Sequence, residues 1–420
     1  MPNVRRRLLL LAGLLAAPSL PVIAPPAAAE DTVKIGVIEP LSGGAASAGQ
    51  AIKAALELGT EIVNTPYPDM QGLPLAAGTG FPGLGGRKLE LDYADNQGSP
   101  AVGQNQALRL ITQDHVVALF GAYQSGITLT TSAVAERYGI PFLAPESVAT
   151  NLTERGFKWF FRTTPIGPDI ARAYIGFVLD QRKQGRKIDS VAIVNDTTEY
   201  GTSIAEVIKK QADAEGVKVT QNVTYNVNAT DVSSQVLQLK QASPDLVIFI
   251  SYTSDAILYA RTMKNLDYRP PIVIGDDSGF SDPSFIESVG DLVQGAINRS
   301  AFAPGRPGTL SYKMNALYHQ RFGRDLDETS ARSLQGFFVL VDAINRAGST
   351  DPGKIQAALR ATDMKPAQLF TGYNGVKFDD KGQNTESAML LTQLQGKDYV
   401  AVWPQAEATG SLQLPYAGWK

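Results

Sequence analysis

The 420-residue chain contains no cysteine. That excludes structural disulfides, thiol catalysis and thiolate metal sites, and it excludes a lipoprotein anchor, which needs a cysteine at its cleavage site. Histidine is almost missing: His115 and His319 are the two in the chain, which leaves little for a histidine-based metal centre. There is no long polar low-complexity tract and no excess of basic charge; 38 lysines and arginines face 41 acidic residues, a formal net charge of -3. Nucleic acid is therefore disfavoured as a partner. With 44% hydrophobic and 19% charged residues the composition is globular. The length leads to an expectation of two compact units.

The first residues differ from the rest. Arg5, Arg6 and Arg7 precede an apolar run from Leu8 to Ala17, and small residues stand at Ala27 and Ala29. This is the layout of a secretory signal peptide cleaved after Ala29, residues 1–29. The apolar run falls short of the roughly 20 residues a membrane span needs, and Pro18 and Pro21 interrupt the segment after it. Loss of these three arginines, with no acid lost, moves the net charge from -3 to -6. The expectation is an exported, unbridged protein of a bacterial periplasm.

Beyond the leader, short β-rich runs alternate with amphipathic helical runs. "VKIGVI" precedes a helix placing Ile52, Ala55, Leu56, Ile62 and Val63 on one face, and strand-helix pairs recur through "IPFLAP". A second series starts after "WFFRTTP" and runs to the strand "PIVIGD". The strands are nearly continuous in apolar residues, as in sheets covered on both faces. Two successive series predict an α/β chain of two doubly wound, Rossmann-like lobes. Residues 65–86, rich in glycine and proline, read as a surface loop. Gly78, Gly80 and Gly83 satisfy a dinucleotide spacing there, but they lead into a strand rather than a helix, which the fingerprint requires.

In "FGAYQSGITLT" Ser125 stands at a strand-to-helix switch. As a nucleophile it lacks a base: His115 lies at the other end of the same strand, His319 within a helix rich in surface-type residues, and no G-x-S-x-G elbow surrounds it. Open α/β sheets bind ligands beyond the carboxyl ends of their strands. Those ends carry "PLSGGAASAGQ", "GAYQSGI" and "APESVAT" in the first series, and "NDTTEYG", "SYTSD" and "GDDSGF" in the second. Most lead into helix N-termini, whose unpaired amides hold a carboxylate without lysine or arginine. Helix capping explains the serines, threonines and aspartates equally well. Capping does not explain Tyr123, Tyr200 and Tyr252, three phenols suited to clamping an apolar ligand body.

At these positions the chain resembles the extracellular solute-binding proteins of the branched-chain amino acid type, the leucine/isoleucine/valine-binding group of type I periplasmic binding proteins. The resemblance rests on "IGVIEPLSG", "LDYADNQGSPAVGQNQALRLI", "ERYGIPFLAPES", "LTERGFKWFFRT", "DTTEYGTSIAE", "SYTSDAI" and "VKFDDKGQN", in that order over the mature chain. It implies two Rossmann-like lobes joined by three hinge crossovers, near Thr163 to Pro165, Asn298 to Ala301 and Asn384 to Ala388. Lobe 1 would comprise 30–163 and 301–384, and lobe 2 would comprise 164–300 and 385–420. By motif position Ser125 would receive a ligand carboxylate with help from Gly126, Ser147 and Val148; Tyr200 and Tyr252 would cover the ligand, and Asp277 would pair with an α-ammonium. Asp277→Ala is then expected to weaken binding of an ammonium-bearing ligand at least about tenfold. Two positions depart from the family pattern. Ala48 replaces a bulky aromatic and leaves room for a larger ligand. Glu146 replaces a small residue and would repel an anion unless it faces outward.

The function this implies is capture of a small polar metabolite, an amino acid or a related carboxylate or amide, for an ABC importer. It involves no chemistry and no cofactor, and its partners are a permease and ATPase subunits. The chain is expected to act as a monomer. An extracytoplasmic ligand sensor and a serine hydrolase stay open as alternatives.

Overall fold

The computed structural model describes residues 32–276 and 278–419; the expected leader, 1–29, and Asp277 lie outside the described residues. The first series begins with β1 (Thr32–Glu39), α1 (Ala46–Asn64), β2 (Lys88–Asp95), α2 (Pro100–Thr112) and β3 (Ala118–Gly121). It continues with α3 (Ser125–Tyr138), β4 (Phe142–Ala144) and β5 (Phe160–Arg162). The strands form one parallel sheet in the order β2-β1-β3-β4-β5.

The second series opens with α4 (Gly167–Lys183), β6 (Val191–Asp196), α5 (Glu199–Ala214), β7 (Val219–Tyr225) and α6 (Ser233–Ala242). Next come β8 (Leu246–Ile250), α7 (Thr253–Asn265), β9 (Ile272–Asp276), α8 (Ser278–Ser281), α9 (Pro283–Val289) and β10 (Ile297–Ser300). Its parallel core, β7-β6-β8-β9-β10, repeats the winding of the first sheet.

The chain then returns to the first sheet. α10 (Leu310–Phe322), α11 (Glu328–Ala347) and α12 (Pro352–Arg360) precede a small ladder of β11 (Asp363–Met364) and β12 (Val376–Lys377). α11 packs on α1 and β4. Last, β13 (Leu390–Gln395) and β14 (Asp398–Trp403) add an antiparallel hairpin to the edge of the second sheet, beside β10. The chain thus passes between the sheets three times, after β5, β10 and β12. The structure is an α/β fold of two doubly wound lobes, as the alternation of runs predicts.

Local sequence places the helix ends. Ser99 accepts the Val102 amide at 3.4 Å with Pro100 at the first helical position of α2, and Asp327 accepts the Ser330 amide at 3.0 Å at the start of α11. The five residues assigned to one face of α1 are all buried. One apolar cluster joins the α1 and α11 side of the first sheet to the α4 and α5 side of the second, so the core continues across the lobes. Separate clusters lie under α2 and α3, and under α6 and α7.

The 65–86 segment differs from its expectation as a plain surface loop. Met70, Leu73, Ala76 and Phe81 are buried in the main core. The Gly83 amide donates to Asn345 Oδ1 at 2.8 Å, and a Cβ on Gly83 would lie 2.1 Å from the Asn345 carbonyl oxygen. The glycine permits close packing of this turn on α11; it is a backbone contact, and the dinucleotide spacing has no helix N-terminus to serve.

Candidate ligand-binding cleft

In each sheet the winding reverses between the first and third strands of its series, β1 and β3 in one lobe, β6 and β8 in the other. Side chains just beyond the carboxyl ends of these strands border the crevice of a doubly wound sheet. The predicted site residues lie here. Ala48 follows β1, Tyr123 and Ser125 follow β3, Tyr200 follows β6, and Tyr252 follows β8.

The structure brings the three tyrosines together across the lobes. The Tyr252 ring lies 5.8 Å from Tyr123 and 5.2 Å from Tyr200, both tilted. Such pairs are favoured beyond their buried area. Tyr123 holds a left-handed backbone, φ 60°, a conformation that non-glycine residues rarely adopt and that clusters at functional sites. The preceding strand ends on Gly121 at φ 127°, where a Cβ would sit 2.2 Å from the Ile38 carbonyl oxygen. Only glycine lets β3 lie so close to β1 at the crevice floor.

Ser125 is the first residue of α3 and is buried. Its Oγ accepts the Ala149 amide at 3.3 Å, which fixes the 145–149 loop, and the hydroxyl proton is left to give. Among the described residues no acceptor takes the amides of Ser125 and Gly126, the first two of the helix. Gly126 faces Glu199 of the other lobe, 3.8 Å from where a Cβ would stand. Ser147 is more constrained: its hydroxyl donates to the Tyr123 carbonyl at 3.0 Å and lies 2.6 Å from Thr128 Oγ1, which accepts the Ala122 amide at 3.2 Å. Val148 and Ala48 belong to the buried apolar cluster beside Tyr123.

Glu146 departs from the outward orientation that would have excused it. It is buried and ion-paired with Arg332 of α11, and the Ser333 hydroxyl donates to its Oε1 at 3.1 Å. Arg332 also pairs with Glu328, Nε to Oε1 at 2.7 Å, and donates to Thr164 Oγ1 at 2.7 Å. The charge that threatened an anionic ligand is offset in part from within the lobe, by a guanidinium that Glu146 shares with Glu328.

Sequence reading missed Arg332, and it missed a second buried pair beneath the tyrosines. Asp276 ends β9; its carboxylate accepts Arg299 Nε at 2.7 Å and the Tyr200 hydroxyl at 2.7 Å, and it is bonded to the Tyr174 hydroxyl. Tyr200 is therefore held upright by the residue next to Asp277. Arg162 completes the framework at the first lobe crossing. Its guanidinium donates to the Ala149 carbonyl at 2.6 Å and to Gln383 Oε1 at 2.6 Å, and burial lowers its pKa to about 9. A signal for these residues existed: an arginine within an apolar helix face or strand is rarely buried without partners.

Outside the tyrosines, hydrogen bonds among the described residues also link the lobes. Ser47 donates to Asp282 Oδ1 at 2.7 Å, the Thr150 amide to Ser203 Oγ at 3.2 Å, and Asn151 to Glu199 Oε1 at 2.8 Å. Asp282 also takes the Ser284 amide at 2.7 Å, so its carboxylate is fixed before Ser47 arrives. Hydrogen bonds to charged groups contribute about 1.5–3 kcal/mol. Ser47→Ala is expected to weaken ligand affinity roughly tenfold by loosening the closed form, with an increased radius of gyration by X-ray scattering as the check.

Glu39, at the end of β1, is fully buried, and neither carboxylate oxygen meets a donor among the described residues. Desolvation holds its carboxyl well above the ordinary value of 4.5. The folded chain therefore keeps a proton that the unfolded chain releases. The stability this confers is complete below the ordinary value and is lost as pH rises toward the folded one. Glu39→Gln is expected to raise the melting temperature at about pH 7.5 and leave it unchanged at about pH 4, a comparison made by thermal melts at both values.

Among the described residues no helix is long and apolar enough to cross a membrane. The family model for periplasmic binding proteins matches residues 32–398. Leu/Ile/Val-binding protein homolog 7 of Brucella abortus is 30% identical over 413 residues, covering 93% of this chain and 96% of that protein. The branched-chain amino acid transporter substrate-binding protein LivJ of Streptococcus pneumoniae, solved with isoleucine, superposes with a TM-score of 0.74 at 17% identity, over 91% of this chain and 100% of its own. An ABC transporter solute-binding protein of Rhodopseudomonas palustris, solved with 3,4-dihydroxybenzoic acid, gives 0.74 at 19% identity over 89% and 96%. With its two doubly wound lobes and facing switch points, the chain belongs to the periplasmic binding protein family, in its branched-chain amino acid type.

Proposed function

We propose that this chain is the solute-capturing component of an ABC importer, binding a small polar metabolite, an amino acid or a related carboxylate or amide, between its lobes. The observation that carries this reading is the Tyr252 ring lying against both Tyr200 and Tyr123, the latter standing two residues before the start of α3. Ser125 and the amides of Ser125 and Gly126 would take the carboxylate, since a helix N-terminus favours an anion. Glu146 is turned onto Arg332, which it shares with Glu328, and this lessens its repulsion of an anion at that subsite. The tyrosines would clamp the ligand body, and the small Ala48 leaves space beside them. Asp277 keeps its assignment to an α-ammonium on sequence grounds. Ligands of both aliphatic and aromatic kind are found in the similar proteins, isoleucine in one and dihydroxybenzoate in another, and both carry a carboxylate.

Ligand held on lobe 1 gains the tyrosines of lobe 2 only when the lobes close, so binding shifts a hinge equilibrium. We take lobe 1 as 30–163 with 301–384 and lobe 2 as 164–300 with 385–420. The chain would be exported by its leader, act as a monomer in the periplasm without a lipid anchor, and hand ligand to a permease driven by ATPase subunits in the inner membrane. A thermal-shift panel of amino acids, aromatic acids, amides and urea-like compounds tests the reading. A carboxylate-bearing compound is expected to raise the melting temperature, because it binds only the folded chain; stabilisation by amides or urea-like compounds alone would count against the carboxylate subsite.

A further inference from the structure

On the face of the second sheet away from the tyrosines lies a set of oxygen groups that the cleft does not use. β7, β6 and β8 are neighbours and end at one level: Asp196 pairs in register with Tyr225, and Asn195 with Ile250, which sets Ser251 beside Asp196. Strand alternation places Asp196 beyond Val194, Tyr225 beyond Val223, and Ser251 beyond Phe249, all on the face covered by α6 and α7. α7 adds Asp255 from its first turn and Tyr259 one turn later, the Tyr259 ring 5.1 Å from that of Tyr225.

All five residues are at most 3% exposed. Each presents a buried oxygen: Asp196 Oδ2 and Tyr259 Oη have no hydrogen-bond partner among the described residues, and the Tyr225 hydroxyl stands between the Ser251 hydroxyl and the Asp255 carboxylate. The second carboxylate oxygens are occupied elsewhere, Asp196 Oδ1 by the Thr198 amide at 2.8 Å and Asp255 Oδ2 by the Asn228 amide at 3.3 Å. No cation among the described residues forms a salt bridge with either carboxylate. Buried polar atoms without partners are rare, and two buried carboxylates without counter-charge are costly.

We propose that these five residues form a binding site for a hard, oxygen-seeking divalent cation, of which Ca²⁺ is the ion that suits them. The donors are all oxygen, which fits Ca²⁺ and disfavours the transition metals that prefer imidazole or thiolate. Two carboxylates match a charge of +2. Among the described residues no group of three or more His, Cys, Asp or Glu is placed to hold a metal; here hydroxyls complete the set. The ion would tie the first turn of α7 to the ends of three strands. Because Tyr252 immediately precedes α7, occupancy would brace the ring that lies between Tyr123 and Tyr200.

The test uses the mature chain stripped with a chelator and titrated with Ca²⁺ alone, then with Mg²⁺ and Na⁺, read by thermal melts. Saturating Ca²⁺ is expected to raise the melting temperature by about 3–5 °C. Tb³⁺ in place of Ca²⁺ is expected to luminesce when the tyrosines are excited, since Tyr225 and Tyr259 would stand beside the ion. Asp255→Asn should abolish both responses, and Ser251→Ala, a milder change, should weaken the Ca²⁺ response while the chain still folds. No shift with Ca²⁺, or Tb³⁺ emission and Ca²⁺ stabilisation that survive both substitutions, would overturn the proposal. The first outcome would assign the oxygens to shared protons or water, the second would move the ion elsewhere.

Discussion

Replacing Arg332 with alanine is expected to cost about 3–5 kcal/mol of folding stability, the largest effect expected of any single substitution in the framework of the cleft. The guanidinium is fully buried between Glu146 and Glu328, with Thr164 as a further acceptor. A buried ion cluster need not be more stable than an apolar one of the same shape, but removing its centre leaves two carboxylates in a low-dielectric interior without the charge they share. The contacts also join α11 to the first and second lobe crossings, since the Glu328 Oε1 that pairs with Arg332 accepts the Ala301 amide at 3.4 Å. Urea unfolding of the variant checks the value. Arg332→Ala combined with Glu146→Gln is expected to recover part of the loss, which a purely steric cavity would not. A loss below about 1 kcal/mol would mean that the cluster behaves as a solvated surface pair.

Tyr252→Ala is expected to lower ligand affinity on the order of 30-fold, about 2 kcal/mol, and to lower the melting temperature of the ligand-free chain as well, because the ring is buried in the main apolar cluster. Tyr252 is the middle ring of the three and touches one partner from each lobe. Its truncation would remove the proposed apolar contact with the ligand together with the ring pairing to Tyr123 and Tyr200. Its neighbours differ: the Tyr200 hydroxyl is committed to Asp276, so Tyr200→Phe perturbs the lobe-2 framework as well as the cleft. Calorimetric titration with a compound from the thermal-shift panel gives the affinity. Tyr252→Phe is expected to retain most of it, which separates ring packing from hydroxyl chemistry.

Much of this architecture is legible in the sequence. Near-continuous apolar strands separated by helical periodicity are what a doubly wound sheet requires, and the polar, aromatic strand ends lie where such sheets bind ligands. The three tyrosines stand out because a helix cap has no use for a phenol ring. The features hidden from sequence depend on pairing across long separations. Arg332 and Glu146 are 186 positions apart, and nothing local to either names the other, so Glu146 reads as a free charge. Asp276 is overshadowed by its neighbour Asp277 because alternation along a strand cannot by itself say which of two adjacent aspartates meets an arginine. The composition of residues 65–86 reports turns, while Phe81 and Met70 report burial only once α11 is in place.

A crystal structure of the mature chain with a ligand from the panel tests most directly whether the cleft between the two switch points is a carboxylate-binding site closed by both lobes. The ligand carboxylate is expected on the Ser125 hydroxyl and the amides opening α3, with the ligand body among Tyr123, Tyr200 and Tyr252. A ligand lodged elsewhere, or one whose carboxylate faces Asp276 and the second lobe instead, would contradict it.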